Sequence, residues 1–218
     1  MTDPNSQLDG HNTSDAQRER AALADLLLRV GPDRPTLCQG WTTRDLAAHL
    51  VMREHRPDAA LGIVAAPLRG WSERVRQGLA GSDYPALVAR IRRPPLWWGI
   101  GPVDRAANTL EYFVHHEDVR RAQPDWAPRQ LPDSLSRALW NRVRGITKLA
   151  LRAFPASVTI AAPGYGTFDA GKGGTDMRVT GAPAELALFF LGRQRAAKVD
   201  IDGPADLSDS LRRARFGI

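Results

Sequence analysis

The segment DRAANTLEYFVHHEDVRRAQ, Asp104 to Gln123, restricts the fold more than any other stretch of this chain. Its pattern predicts a helix that Pro124 stops. Leu110, Tyr112, Phe113 and Val119 spread over much of its circumference, and a helix apolar on several sides is normally buried. At about 100° per residue, Asp104, Asn108, Glu111, His115 and Asp118 fall in one polar stripe. That stripe must then also face the interior, where unpaired carboxylates and imidazoles are costly. The chain therefore has to build a helical layer around this segment and give the stripe a partner.

A metal ion is one such partner. Glu111 and His115 are four apart and stack on one helix face, the spacing by which a helix offers two ligands to one ion. The competing reading is a solvated i,i+4 pair on an exposed face. His49 is the candidate third ligand. It sits in DLAAHLVM, where Leu46, Leu50, Val51 and Met52 indicate a largely buried helix, and Asp45, Leu46, Met52 and Arg53 share its side. A lone core histidine is otherwise satisfied by a neighbouring carbonyl. Two histidines and a carboxylate from antiparallel helices match a site with open coordination positions. Asp45 and Asp118, each about one turn away, are candidate acceptors for imidazole N–H groups. His116 and His55 are expected on the surface, and His11 lies in the polar N-terminal arm. Cys38 reads either as a thiol activated by a helix start or as a small buried hydrophobe. With no basic partner visible in the sequence, the second reading is preferred.

Around these residues the chain divides by texture. Residues 1–14 read as a disordered arm, 15–125 as a helical bundle and 132–218 as a smaller α/β domain, with Trp126 to Pro132 as a Pro-rich linker. Ser14 to Val30 is helical and ends at Gly31-Pro32. TTRDLAAHLVMREHR starts at a Thr cap and is stopped or kinked by Pro57. SERVRQGLA and YPALVARIRR read as two short helices separated by Gly81-Ser82-Asp83. DSLSRALWNRVRGITKLALRAF is a long helix, and PAELALFFLGR a strongly apolar one. SVTIAAP, DMRVTG and KVDIDG are β-like, while GYGTF and GKGG read as hairpin turns.

The chain has 218 residues, 43% of them hydrophobic and 25% charged, an ordinary globular balance. No stretch approaches the roughly 18 consecutive apolar residues of a membrane span, and the start carries no signal-peptide pattern, so a cytoplasmic location is expected. One cysteine excludes an internal disulfide and a thiolate-rich zinc site. The formal net charge of +6 raises nucleic-acid binding. The arginines are scattered among Asp and Glu, however, and no basic run interleaves with aromatics, so no specific nucleic-acid partner is expected.

LCQGWTTRDLAAHL followed by EYFVHHEDVRR resembles the N-terminal bundle of the mycothiol-dependent maleylpyruvate isomerase-like proteins, within the DinB/YfiT superfamily of metal-binding four-helix bundles. VTGAPAELALFFLGR followed by VDIDG resembles their small C-terminal α/β domain of sterol-carrier-like type. The resemblance implies an α+β chain with a DinB-like four-helix bundle ahead of that domain. It implies a divalent metal, usually zinc, held at His49, Glu111 and His115, and mycothiol as a thiol cosubstrate. It also implies an arginine of the C-terminal domain that binds an anionic substrate, for which Arg193 is the candidate by position. VHHEDVRR is more charged than the isomerase pattern, which leaves maleylpyruvate isomerisation as one reaction among several.

Three functions stay open at this point, the last a basic nucleic-acid or partner-binding protein. The first is a metal- and thiol-dependent transferase or isomerase acting on a small electrophilic or anionic substrate, as a monomer or homodimer. The alternative is a non-catalytic metal-bearing sensor or scaffold. Three protein ligands leave a position for water or thiol and favour chemistry, whereas a fourth, from Asp45 or Cys38, would favour the structural role.

Overall fold

The computed structural model describes residues 14–95 and 102–216, without the side chains of 63, 64 and 102–107. Nearly all of the polar arm, with His11, and the stripe residue Asp104 therefore lie outside the described residues or side chains. The chain is α+β and divides into two compact units, Met1–Trp126 and Ala127–Ile218.

The first unit is helical: α1 (Asp15–Val30), α2 (Thr43–His55), α3 (Pro57–Val64), α4 (Arg69–Ala80), α5 (Tyr84–Arg92) and α6 (Pro102–Arg120). Local signals set several of these boundaries. Ser14 caps α1 through a reciprocal pair with Gln17, and Thr42 caps α2 through one with Asp45. Pro57 starts α3 at a position that lacks an intrahelical donor in any case. Asp83 caps α5 by accepting from the Ala86 N–H at 3.0 Å.

Helix α1 packs on α5 and α6, and α2 packs on α3, α4 and α5. Leu23 and Leu27 of α1, Leu46 and Leu50 of α2, Leu87 and Ile91 of α5 and Tyr112 and Val119 of α6 share one core. Helices α2 and α6 meet through long side chains in antiparallel register. His49 approaches Glu111 and His115, and Arg53, one turn on, approaches Asn108 and Glu111.

The second unit opens with α7 (Asp133–Ala150), continues through β1 (Ser157–Ala162), β2 (Gly166–Gly171) and β3 (Asp176–Thr180), and closes with α8 (Pro183–Phe190), β4 (Asp200–Asp202) and α9 (Ala205–Arg213). The sheet order is β2-β1-β3-β4; β1 runs antiparallel to β2 and parallel to β3, and β3 runs antiparallel to β4. Helix α8 packs on α7 and is buried along nearly its whole length, including Glu185, whose carboxylate accepts from the Lys198 N–H at 2.8 Å.

Three elements depart from the sequence reading. Helix α3 begins at Pro57, in a stretch read only as the stop or kink of α2. GTF, read as part of a turn, opens the edge strand β2; the turn proper is shorter and uses left-handed glycines at Gly164 (φ +80°) and Gly166 (φ +122°). Phe168 of β2 packs against Trp140 of α7 at 5.2 Å between ring centroids, a contact between segments far apart in sequence. Helix α9 has no strong apolar signal in the sequence, because ADLSDSLRR carries one buried anchor, Leu211, with Leu207 only half-buried.

Candidate metal centre

The polar stripe of α6 ends up where its composition requires. Asn108, His115 and Asp118 are 4%, 8% and 0% exposed, and each has a partner. The His115 ring lies between two carboxylates: Nδ1 is 2.9 Å from Asp118 Oδ2 and Nε2 is 3.2 Å from Glu111 Oε1. His49 reaches the same Glu111 oxygen from α2, with Nε2 at 3.5 Å, and its ring meets His115 edge-on at 5.4 Å between centroids. The three expected ligands are thus brought together, with His49 Nε2, Glu111 Oε1 and His115 Nε2 among ligand atoms lying within 4.8 Å of one another.

These separations carry chemical information. A tetrahedral ion with bonds of about 2.0–2.1 Å has ligand–ligand edges of roughly 3.3–3.4 Å by the geometry of the tetrahedron. The two edges at 3.2 and 3.5 Å bracket that value. As a hydrogen bond, the His49–Glu111 contact is long. It is nevertheless the polar contact of a side chain only 11% exposed, whose other neighbours are the Trp41 ring at 5.1 Å and His115. So long a contact leaves the imidazole able to bind a further partner through its nitrogen.

Electrostatics separate the two histidines. Burial pushes His49 below the ordinary imidazole range, Glu111 pulls the other way, and the nearby His115 and Arg53 charges add to the lowering. Its lone pair is therefore available for coordination. Burial also disfavours a charged His115, but Asp118, Cys38 and Glu111 outweigh it and hold the ring well above its usual range. Burial would raise Glu111, yet His115, His49 and Arg53 keep it well below the carboxylate range. The carboxylate is ionised, and its side chain is the most exposed of the three candidate ligands at 27%.

Asp118 acts as anticipated, accepting from His115 Nδ1 and leaving Nε2 directed at Glu111. Asp45 does not act so for His49. Its carboxylate closes the α2 cap on Thr42 and pairs with Arg76, so α2 needs it where it is.

Three further residues differ from the sequence reading. His116 is buried, 6% exposed, because α1 covers that side of α6; its Nδ1 is 2.9 Å from Glu19 Oε2. His55 is half-buried, with Nε2 3.4 Å from the Arg90 carbonyl. Cys38 is half-buried and does have a basic neighbour: its Sγ is 3.9 Å from His115 Nδ1 and donates to Asp118 Oδ2 at 3.2 Å. No local pattern reveals this, since the partners lie 77 and 80 residues away.

Cys38, His115 and Asp118 form a second cluster of metal-ligand type. Its donors already satisfy one another, because the imidazole and the thiol converge on one Asp118 oxygen. Within the second unit, the Arg193 guanidinium is half-buried and donates to the Leu191 carbonyl at 2.6 Å, which ties it to the end of α8.

No protein-family model and no curated protein matches the chain. Among solved structures, the mycothiol-dependent maleylpyruvate isomerase and a histidine-to-alanine mutant of it match in fold. Each aligns at 14% identity and TM-score 0.54, over 87% of this chain and 90% of the other. At that identity the likeness shows the fold alone.

Proposed function

We propose that this chain is a thiol-dependent transferase or isomerase that holds one divalent ion, zinc before others, at His49, Glu111 and His115. The observation that carries the reading is the pair of edges meeting at Glu111 Oε1, 3.2 Å to His115 and 3.5 Å to His49. The finer architectural assignment belongs to the same proposal: a DinB-like four-helix core in the first unit and a sterol-carrier-like second unit.

The protein's own groups have separable tasks. Asp118 keeps a proton on His115 Nδ1, so that Nε2 is the nitrogen offered to the ion. Trp41 packs on the His49 ring and limits its rotation. Two imidazoles and one carboxylate leave at least one coordination position for a cosubstrate. A bound ion would supply Lewis acidity and hold a low-molecular-weight thiol as the thiolate. Mycothiol is the proposed thiol, since the matched structure is of a mycothiol-dependent enzyme. Arg193 is proposed as the cation for an anionic substrate on the family resemblance.

The sensor or scaffold reading needs a fourth protein ligand. Asp45 is engaged elsewhere, and Cys38 approaches Nδ1 of His115, the nitrogen opposite the Glu111 side. That arrangement favours catalysis. Anaerobic calorimetry of the zinc-loaded protein with mycothiol tests it: saturable one-to-one binding that vanishes without zinc supports the proposal, and no heat at millimolar thiol counts against it.

The orienting role of Asp118 gives a separate expectation. Asp118→Asn should lower zinc affinity by about 10–100-fold, the usual cost of losing the carboxylate behind a ligating histidine. Competition with a chromophoric chelator measures it. Unchanged affinity would mean that His115 does not use Nε2 as assigned.

A further inference from the structure

We infer that Arg76 is a positioning residue of this centre, holding the ligand His49 through the Trp41 ring rather than through a hydrogen bond. The inference rests on the proposed metal site and names what orients one of its ligands. The two histidines are held in different ways. Asp118 accepts from His115 Nδ1, the usual carboxylate behind a ligating imidazole. His49 has no such acceptor among the described residues. Its polar and ring contacts there are Glu111, the His115 ring and the Trp41 ring, the last at 5.1 Å between centroids. Of these, Trp41 alone lies outside the set of ligands, so whatever fixes Trp41 also fixes the direction of the His49 nitrogen.

Trp41 is held through both its backbone and its ring. Its N–H donates to the Cys38 carbonyl at 2.9 Å, and its carbonyl accepts from the Thr36 hydroxyl at 2.9 Å. Its ring meets the Arg76 guanidinium, whose central carbon is 5.1 Å from the ring centroid. That is inside the roughly 6 Å reach of a cation–π contact. The guanidinium is itself fixed in one orientation. Its Nε and Nη2 donate to the two Glu73 oxygens at 2.9 and 2.6 Å, and Nη1 donates to Asp45 Oδ1 at 2.5 Å. Arg76 is 7% exposed on α4, so these contacts are largely screened from water. Through Asp45, Arg76 also supports the Thr42 cap of α2. That second contact serves the helix start; the ring contact is the one that reaches the ligand.

Two readouts test this: chelator competition for zinc, and the visible absorption of the cobalt(II)-substituted protein, which reports ligand geometry. Arg76→Met should lower zinc affinity by about tenfold, the low end of what losing a group behind a ligand costs, and should alter the cobalt spectrum. Removing a nearby cation by itself favours a divalent ion, so a fall in affinity marks positioning. Trp41→Leu should cost at least as much, and Trp41→Phe should recover part of the loss. The double variant Arg76→Met/Trp41→Leu should bind zinc no more weakly than Trp41→Leu, because Arg76 acts through the ring that is already gone. Thr42→Ala breaks the same cap without touching the ring. It should lower the urea midpoint and leave both metal readouts in place. Arg76→Lys keeps a charge beside Asp45 and Glu73, so it supplies a folded variant with an intermediate loss if Arg76→Met does not fold. Wild-type zinc affinity and cobalt spectrum in Arg76→Met overturn the inference. So do losses that multiply in the double variant, or that appear equally in Thr42→Ala. Failure of the wild-type chain to take up zinc or cobalt overturns the metal centre itself and this inference with it, so the two failures are distinguishable.

Discussion

His115→Ala is expected to lower zinc affinity by well over about a hundredfold, since losing even a carboxylate behind a ligand costs about 10–100-fold. The adjacent change, His116→Ala, should leave zinc affinity nearly untouched. The contrast follows from the α6 register. His115 points at Glu111 and His49, while His116 points at α1 and meets Glu19 Oε2 at 2.9 Å. His116→Ala has a cost of a different kind: Glu19, 5% exposed, loses its imidazole partner. A lost hydrogen bond to a charged carboxylate costs about 1.5–3 kcal/mol, so the variant should unfold at lower urea concentration while still binding zinc. Chelator competition and equilibrium denaturation of both variants separate the effects. Zinc loss in His116→Ala equal to that in His115→Ala would place the ligand on the other face of α6.

The largest effect on stability is expected at Glu54. Its carboxylate, on α2 and 1% exposed, receives both terminal nitrogens of Arg20 from α1 at 2.7 Å and the Tyr112 hydroxyl from α6. Arg20 also donates to the Ile91 carbonyl of α5 at 2.7 Å and lies over the Tyr112 ring at 4.3 Å from its centroid. Four helices thus meet at one ion pair. Glu54→Ala strands the Arg20 cation, itself 8% exposed, and removing one partner of a buried pair costs about 3–5 kcal/mol. The change should appear in urea unfolding of the first unit. Glu54→Gln keeps the volume and one acceptor oxygen and should cost less. A Glu54→Ala protein as stable as the wild type would remove the pair from the account.

The geometry at the centre was legible to the extent that it depends on helical periodicity. Four-residue spacing puts Glu111 and His115 on one face, and that needs no knowledge of the rest of the fold. Caps and breakers likewise placed Ser14, Thr42 and Pro57 at element boundaries, because their signals act within a few residues. What failed depended on pairings across the chain. Glu19 reaches His116 over 97 residues, and only that contact makes the histidine internal. Asp45 looked available to His49 from spacing alone, yet Arg76, on another helix, takes its outer oxygen. Strand β2 shows the same limit. Its glycines signal turns, and its place in the sheet comes from β1 and from the Trp140 ring.

The central claim is that one ion sits at Glu111 Oε1 between the Nε2 atoms of His49 and His115. Anomalous diffraction at the zinc edge, from crystals of the chain grown with zinc, tests it most directly. One strong peak is expected at about 2.0–2.2 Å from each of those three atoms, with the remaining ligand supplied from outside the protein. A peak bound instead to Cys38, Asp118 and Nδ1 of His115, or no peak in the first unit at saturating zinc, would contradict it.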